Sequence, residues 1–232
     1  MRAMSSAAAS RLVAAARLIA FDLDGTLVDT APDLALAVNQ TLALLGATPL
    51  AAERIPAMVG HGVEHLLATA LAAAFGAPPT QRALALAAPL FAQLYQQRVL
   101  FKSRVYDGVP ETLQRLAADG KALGCITNKA GRYAQPLLTA AGLSAQLAFI
   151  SSPATPAQRK PAPSMLLEAC ARTGVQPREL LYVGDSPIDI AAARAAGSPV
   201  ISVDYGFSPL ADLIAAAPDA IIGNFSELTR HL

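Results

Sequence analysis

Beyond about residue 105 the chain repeats one pattern: a short apolar run, a polar turn, then a segment of helical periodicity that ends at a glycine. The runs are ALGCI (122–126), LAFIS (147–151), LLYVG (180–184), PVISV (199–203) and DAIIG (219–223), and RLIAF (17–21) is a sixth of the same kind near the start. Between them lie ETLQRLAADG, GRYAQPLLTAAG, PSMLLEACARTG and DIAAARAAG, each reaching a Gly of the sort that stops a helix. Strands alternating with helices of this length predict a parallel sheet covered on both faces. The expected fold is therefore α/β: a doubly wound, Rossmann-like parallel sheet of six strands.

Residues 33 to about 100 break the alternation. PDLALAVNQTLALLG carries Leu34, Val38, Leu42 and Leu45 at helical spacing, and the segments up to Tyr95 also read as helices. An all-helical block between the first strand and the second strand–helix unit is expected to be an inserted domain. The boundaries are then 17–31 and 103–232 for the α/β core and 32–102 for the insertion. The first sixteen residues, MRAMSSAAASRLVAAA, superficially look like an export signal, but Arg11 interrupts a stretch that is mostly Ala. The expectation is a flexible extension over residues 1–16 and a cytoplasmic protein.

Composition excludes several classes of partner. Hydrophobic residues make up 53% of the 232, so a sizeable core is available. No apolar segment approaches the roughly 20 residues that a membrane helix needs. Eighteen basic against seventeen acidic residues leave a net charge of +1 with no long basic run, which argues against nucleic acid. Cys125 and Cys170 both fall in apolar patterns and are expected as small core residues, not as a disulfide framework.

The stretch FDLDGTLVDTAPD (21–33) follows directly on the RLIAF run. In an extended segment Asp22 and Asp24 point to one face, where two carboxylates repel unless a cation lies nearby. A turn at Asp24-Gly25 with Thr30 or Asp33 capping a helix explains Asp24, Gly25 and Asp33 but leaves Asp22 unexplained. Other polar motifs sit at other strand ends: Thr127-Asn128-Lys129 after ALGCI, Lys160 after LAFIS, and Gly184-Asp185-Ser186 after LLYVG. In an open parallel sheet those ends converge on the ligand-binding edge.

These motifs, Asp22-x-Asp24-Gly25-Thr26, Thr127-Asn128, Lys160 and Gly184-Asp185-Ser186-x-x-Asp189, resemble those of the haloacid dehalogenase-like superfamily of phosphotransferases. The resemblance runs from about residue 17 to the end, and the helical insertion is similar to the mobile cap of one large subgroup. FDLDGTLVDTAPDL, the TNK triplet, VGHG (59–62), VGDSPIDIAAARAAG and DYGF (204–207) look like those of bacterial phosphoglycolate phosphatases. Two departures bear on the substrate: SSPATPAQRKPAPS lacks the Gly-Gly-Asp frequent there, and His61 replaces a more usual Asn.

The resemblance implies a small phosphorylated metabolite as partner and Mg²⁺ as cofactor. Asp22 would be the nucleophile of an aspartyl-phosphate route, and Asp24 the acid and then the base. Gly25, Thr26, Thr127 and Asn128 would hold the phosphate, with Lys160 supplying positive charge. The metal would take the Asp22 and Asp185 carboxylates and the Asp24 carbonyl, supported by Ser186 and Asp189. Ser186-Pro187-Ile188-Asp189 is equally a good helix start with no chemistry. His61, Lys129 and Arg132 are candidates for a substrate carboxylate, though each also reads as an ordinary exposed residue, and Arg159 as a solvated neighbour of Lys160.

Rival readings have specific discriminants. His61-Gly-Val-Glu64-His65 spells the inverted zinc-peptidase pattern, but Gly62 weakens the helix start and no third ligand is apparent. A receiver-type signalling module needs neither Asp24 nor a long helical insertion. A dehalogenase would have no leaving alcohol for Asp24 to protonate, whereas a sugar phosphomutase would keep it.

Overall fold

The computed structural model describes residues 2–230, with side chains from Ala7 onward. Among the described residues eight strands form, β1 (Leu18–Phe21), β2 (Val28–Asp29), β3 (Arg104–Val105), β4 (Ala122–Ile126), β5 (Phe149–Ser151), β6 (Leu180–Gly184), β7 (Val200–Val203) and β8 (Ala220–Ile222). Six of them make one sheet in the order β5-β4-β1-β6-β7-β8, every pair parallel. All six apolar runs are therefore strands of a Rossmann-like α/β sheet. The chain leaves β1 towards β4 and β5, then crosses to β6, β7 and β8, so the topological switch lies at β1. Its neighbours are β4 and β6, with Phe21 in register with Cys125 and Val183.

Successive side chains of a strand face opposite layers, and the core divides accordingly. Ile19 and Phe21 pack under α5 (Val109–Ala118) and α6 (Gly131–Ala140), while Leu18 and Ala20 pack under α7 (Ser164–Thr173), α8 (Pro187–Ala196) and α9 (Leu210–Ala216). Both cysteines are buried free thiols within these layers.

The expectation of a flexible extension over residues 1–16 is overturned. Residues Arg2–Ala15 form a helix, α1, and Ala9, Val13 and Ala16 are buried with Ile222, Phe225 and Leu228. Its end is held by Lys121, whose Nζ donates to the carbonyls of Ala14 (3.1 Å) and Ala16 (2.9 Å). A cation bonded to the last carbonyls favours the helix terminus.

The helical block comprises α2 (Ala31–Leu44), α3 (Val63–Phe75) and α4 (Gln81–Gln96). They share a separate apolar cluster built on Leu34, Val38, Leu42, Leu67, Leu71 and Phe91, with Tyr133 of α6 packed into it. At the two crossings into the block, β2 pairs antiparallel with β3. Beside them the buried Asp33 carboxylate accepts from the backbone N–H groups of Phe101 (3.0 Å), Lys102 (2.8 Å) and Ser103 (3.0 Å). Asp33 thus ties the outgoing chain to the returning one, and neither it nor Thr30 caps α2 through its side chain. No helix among the described residues is long and apolar enough to cross a membrane.

Candidate active site

Asp22 continues the β1–β6 ladder by one bond, its N–H donating to the Val183 carbonyl at 2.9 Å. The chain then turns at once: the N–H groups of Thr26, Leu27 and Val28 all point at the Leu23 carbonyl. Gly25 serves this turn with φ +82°, and a Cβ there would lie 2.3 Å from Asp185 Oδ2. That close approach brings the first strand end onto the Asp185 carboxylate, which accepts from Thr26 Oγ1 (3.1 Å) and the Phe207 N–H (2.8 Å).

Asp189 opens α8 and divides its two oxygens. Oδ2 accepts from Ser186 N (3.1 Å) and Ser186 Oγ (2.6 Å), while the Asp189 N–H donates back to Ser186 Oγ (3.3 Å), forming a capping box. Oδ1 meets Lys160 Nζ at 2.6 Å. One oxygen therefore caps the helix and the other faces Lys160.

Lys160 is buried, and its Nζ also donates to Tyr182 Oη (2.8 Å), which in turn donates to the Ile126 carbonyl (2.6 Å). Nζ lies 3.0 Å from Asp22 Oδ1, an ionic contact lacking the direction of a hydrogen bond. Burial opposes its charge, but Asp189 and Asp22 outweigh burial and hold the ammonium above the usual lysine range. Burial pushes the Asp22 carboxyl up to about 6, with Asp189 and Asp24 adding to it and Lys160 opposing. Burial, then Asp189 and Asp22, likewise raise Asp185 well above the carboxylate range.

Asp22, Asp185 and Asp189 each present an oxygen within 4.8 Å of the other two. With all three carboxylates ionised against one lysine, the buried cluster would carry an excess of two negative charges, the charge that a divalent cation offsets. An all-oxygen donor set of this kind suits Mg²⁺. The His61–His65 pair lies apart from this cluster: its ring centroids are 4.7 Å apart with the rings tilted by 54°, and Glu64 is paired with Arg159. Among the described residues, no group of three or more metal-ligating side chains includes either histidine.

Several expected roles change. The Asp24 carboxylate turns away from the acid cluster, its Oδ1 accepting from Thr30 Oγ1 (2.6 Å) and Lys129 Nζ (2.8 Å). Lys129 is not an exposed residue; it is buried, with Nζ 4.8 Å from the centroid of Tyr95 on α4. The Thr127 N–H is taken by the Ser151 carbonyl (3.0 Å), which leaves its hydroxyl, not its amide, for a ligand. Both N–H groups of the Asn128 amide are engaged, with the Gly60 carbonyl (2.8 Å) and the Lys160 carbonyl (2.9 Å). Asn128 therefore has no donor left for substrate. Arg132 is exposed, stacks on Tyr133 at 4.9 Å, and borders a separate cavity of about 180 Å³. Arg159 is no solvated bystander, since it forms the ion pair to Glu64 on α3.

A cavity of about 430 Å³ opens over the strand ends. Asp22, Asp24, Thr127, Lys129 and Asp185 form its floor, and Leu34, Pro56, Val59, Gly60, His61, Val63 and Leu66 of the helical block form its roof. His61 is thus at the cavity, on an exposed rim, where partial burial and then His65 lower its pKa.

The haloacid dehalogenase-like hydrolase family matches residues 19–203 of this chain. A phosphoglycolate phosphatase of Nitrosospira multiformis is 41% identical over 214 residues, covering 92% of this chain and 94% of that protein. One from Thiobacillus denitrificans is 40% identical, covering 91% and 93%. Among solved structures, a predicted phosphoglycolate phosphatase from Haemophilus somnus superposes with a TM-score of 0.88 at 32% identity, covering 93% of this chain and 97% of that one.

Proposed function

The chain belongs to the haloacid dehalogenase-like hydrolases, and from that premise we propose that it hydrolyses 2-phosphoglycolate to glycolate and phosphate, with Mg²⁺, through a phosphorylated Asp22. The observation that carries this reading is the buried acid cluster at the strand ends facing one lysine. The Asp22 and Asp185 carboxylates and the Asp24 carbonyl, with Ser186 and Asp189 in support, would hold Mg²⁺, which when bound would supply positive charge to the phosphoryl oxygens.

Asp22 attacks phosphorus as the bond to the glycolate oxygen breaks, and the Asp24 carboxyl protonates that leaving oxygen. Asp24, now a carboxylate, takes a proton from the water that attacks the phosphorus of the aspartyl-phosphate, releasing phosphate and restoring Asp22. Lys160 keeps Asp22 ionised and stabilises the charge that gathers in the transition state, and the Thr127 hydroxyl donates to a phosphoryl oxygen. Lys129 Nζ lies 2.8 Å from Asp24 Oδ1 in this structure. The first step requires the acid, so this contact opens while substrate is bound. Residues 32–102 act as a cap that excludes water from the intermediate, with His61 and Lys129 the groups nearest to meet the glycolate carboxylate.

The cavity of about 430 Å³ is roomy for glycolate, and that volume supports a second reading in which the substrate is a sugar phosphate and the leaving group the sugar. Turnover over a panel of phosphomonoesters with Mg²⁺ tests both. Phosphoglycolate should give the highest kcat/KM; a preferred sugar phosphate would replace the substrate, and phosphate moving between two positions of one sugar would make the enzyme a mutase.

Thermal unfolding should register the crowded acids. In metal-free protein Asp22 has a folded pKa of about 6 against an unfolded value of 3.8. The native state then binds more protons than the unfolded state between those values, so stability falls as pH rises through that window. Tm should therefore drop from pH 4.5 to pH 7 without metal. Mg²⁺ at 100 Kd should add about 2.7 kcal/mol of stability, and at a fixed concentration it should raise Tm more at pH 7 than at pH 5. Asp185→Ala should remove most of that Mg²⁺ response and raise the metal concentration needed for activity. A wild-type Tm indifferent to Mg²⁺ at pH 7 would count against the metal site.

A further inference from the structure

We propose that Asn128 is a positioning residue that makes the placement of Lys160 depend on docking of the cap loop at residues 59–62. This rests on the phosphatase reading for its kinetic consequence only. The Asn128 side chain bonds the main chain of Lys160 twice: Oδ1 accepts from the Lys160 N–H (2.8 Å), and Nδ2 donates to the Lys160 carbonyl (2.9 Å). The second N–H of the same amide donates to the Gly60 carbonyl at 2.8 Å. One planar group thus joins the backbone of the lysine that faces Asp22 and Asp189 to the loop that roofs the cavity.

The loop is seated at two further points. Gly60 sits at φ +114°, and a Cβ there would lie 3.2 Å from Ile188 Cδ1 at the start of α8. Just beyond it, Gly62 lies against the guanidinium of Arg159, which pairs with Glu64. Arg159 directly precedes Lys160, so the loop grips the lysine-bearing segment both through Asn128 and through its neighbour. Asn128 is buried, and when the loop lifts its Nδ2 loses the Gly60 carbonyl and one edge of the amide is freed. The orientation that fixes Lys160 then weakens with it. A closed roof and a correctly placed ammonium are in this way one state.

With Mg²⁺ and 2-phosphoglycolate, Asn128→Ala should lower kcat about 100-fold, the scale of a 1 Å misplacement, while KM stays within about threefold. Gly60→Val, which cannot keep the backbone at +114° or clear Ile188, should lower kcat as well. Added to Asn128→Ala, it should cost less than about threefold more, because residues acting as one unit do not multiply. Amide hydrogen exchange gives a readout without turnover: in Gly60→Val the Lys160 N–H should exchange at least about tenfold faster, together with the loop. Unchanged kcat in Asn128→Ala, multiplying losses in the double variant, or a Lys160 amide that keeps its protection in Gly60→Val would each overturn the proposal. If the wild-type protein hydrolyses no phosphomonoester, the reading of the reaction fails, and the exchange measurement still decides the coupling. It decides equally if Asn128→Ala does not fold.

Discussion

Asp22→Asn is expected to abolish turnover and, in metal-free protein at pH 7, to raise Tm. The two effects have opposite signs for one reason. Asp22 is buried beside Asp185 and Asp189, and its carboxyl is pushed up to about 6, so the ionised form that attacks phosphorus is costly to keep in the native state. The amide has the same shape without the charge and relieves that crowding, while Lys160 retains Asp189 as its partner. An amide is no nucleophile towards phosphorus, and loss of a nucleophile lowers kcat by roughly four or more orders of magnitude. Rapid quenching of wild-type enzyme with labelled substrate should trap the phosphoryl group on Asp22, and the variant should trap none. Label on any other side chain would remove Asp22 from the role.

Asp24→Asn is expected to stop catalysis while sparing ligand binding. The Asp24 carboxylate lies outside the acid cluster and makes no contact there that holds Asp185 or Asp189. Asn can still accept from Thr30 and Lys129 through Oδ1, but it can neither give nor take the proton of the leaving oxygen. Turnover should fall by about two to four orders of magnitude, the range of a lost acid–base group. Mg²⁺-dependent binding of orthovanadate should persist within about threefold. Lys129 loses its buried counter-charge, which should lower Tm and cost about 1–3 kcal/mol. Undiminished turnover would exclude Asp24 from proton transfer, and lost vanadate binding would show instead that Asp24 organises the metal site.

Asp22, Asp24, Thr127, Lys160 and Asp185 were legible because each follows an apolar run, and parallel strands bring such positions to one edge whatever their separation in sequence. Lys129 was not legible, because its burial depends on Tyr95 in the helical block and on Asp24, which are remote in sequence. Arg132, three residues on, looks equivalent in sequence, yet the start of α6 turns it out onto Tyr133. Asn128 shows only a polar side chain in a turn, and its three bonds appear once Gly60 and Lys160 are in place. The Asp33 clasp was hidden likewise, since its donors are backbone groups that carry no side-chain signature. Helix α1 failed for a different reason: its Ala-rich sequence gives a helix without a pronounced apolar stripe, so periodicity had little to detect.

Helix α1 also constrains how this protein can be made. It is translated before every strand of the sheet, yet its buried face rests on β8 and the turn at residues 225–229, which follow about 200 residues later. At ordinary translation speeds of about 5–20 residues per second, the delay is on the order of ten to forty seconds. A lone helix of this length is marginal in water, so during synthesis α1 is a candidate for chaperones rather than a foundation for the sheet. The burial of α1 is therefore a late event, waiting on a strand made long after the helix it covers.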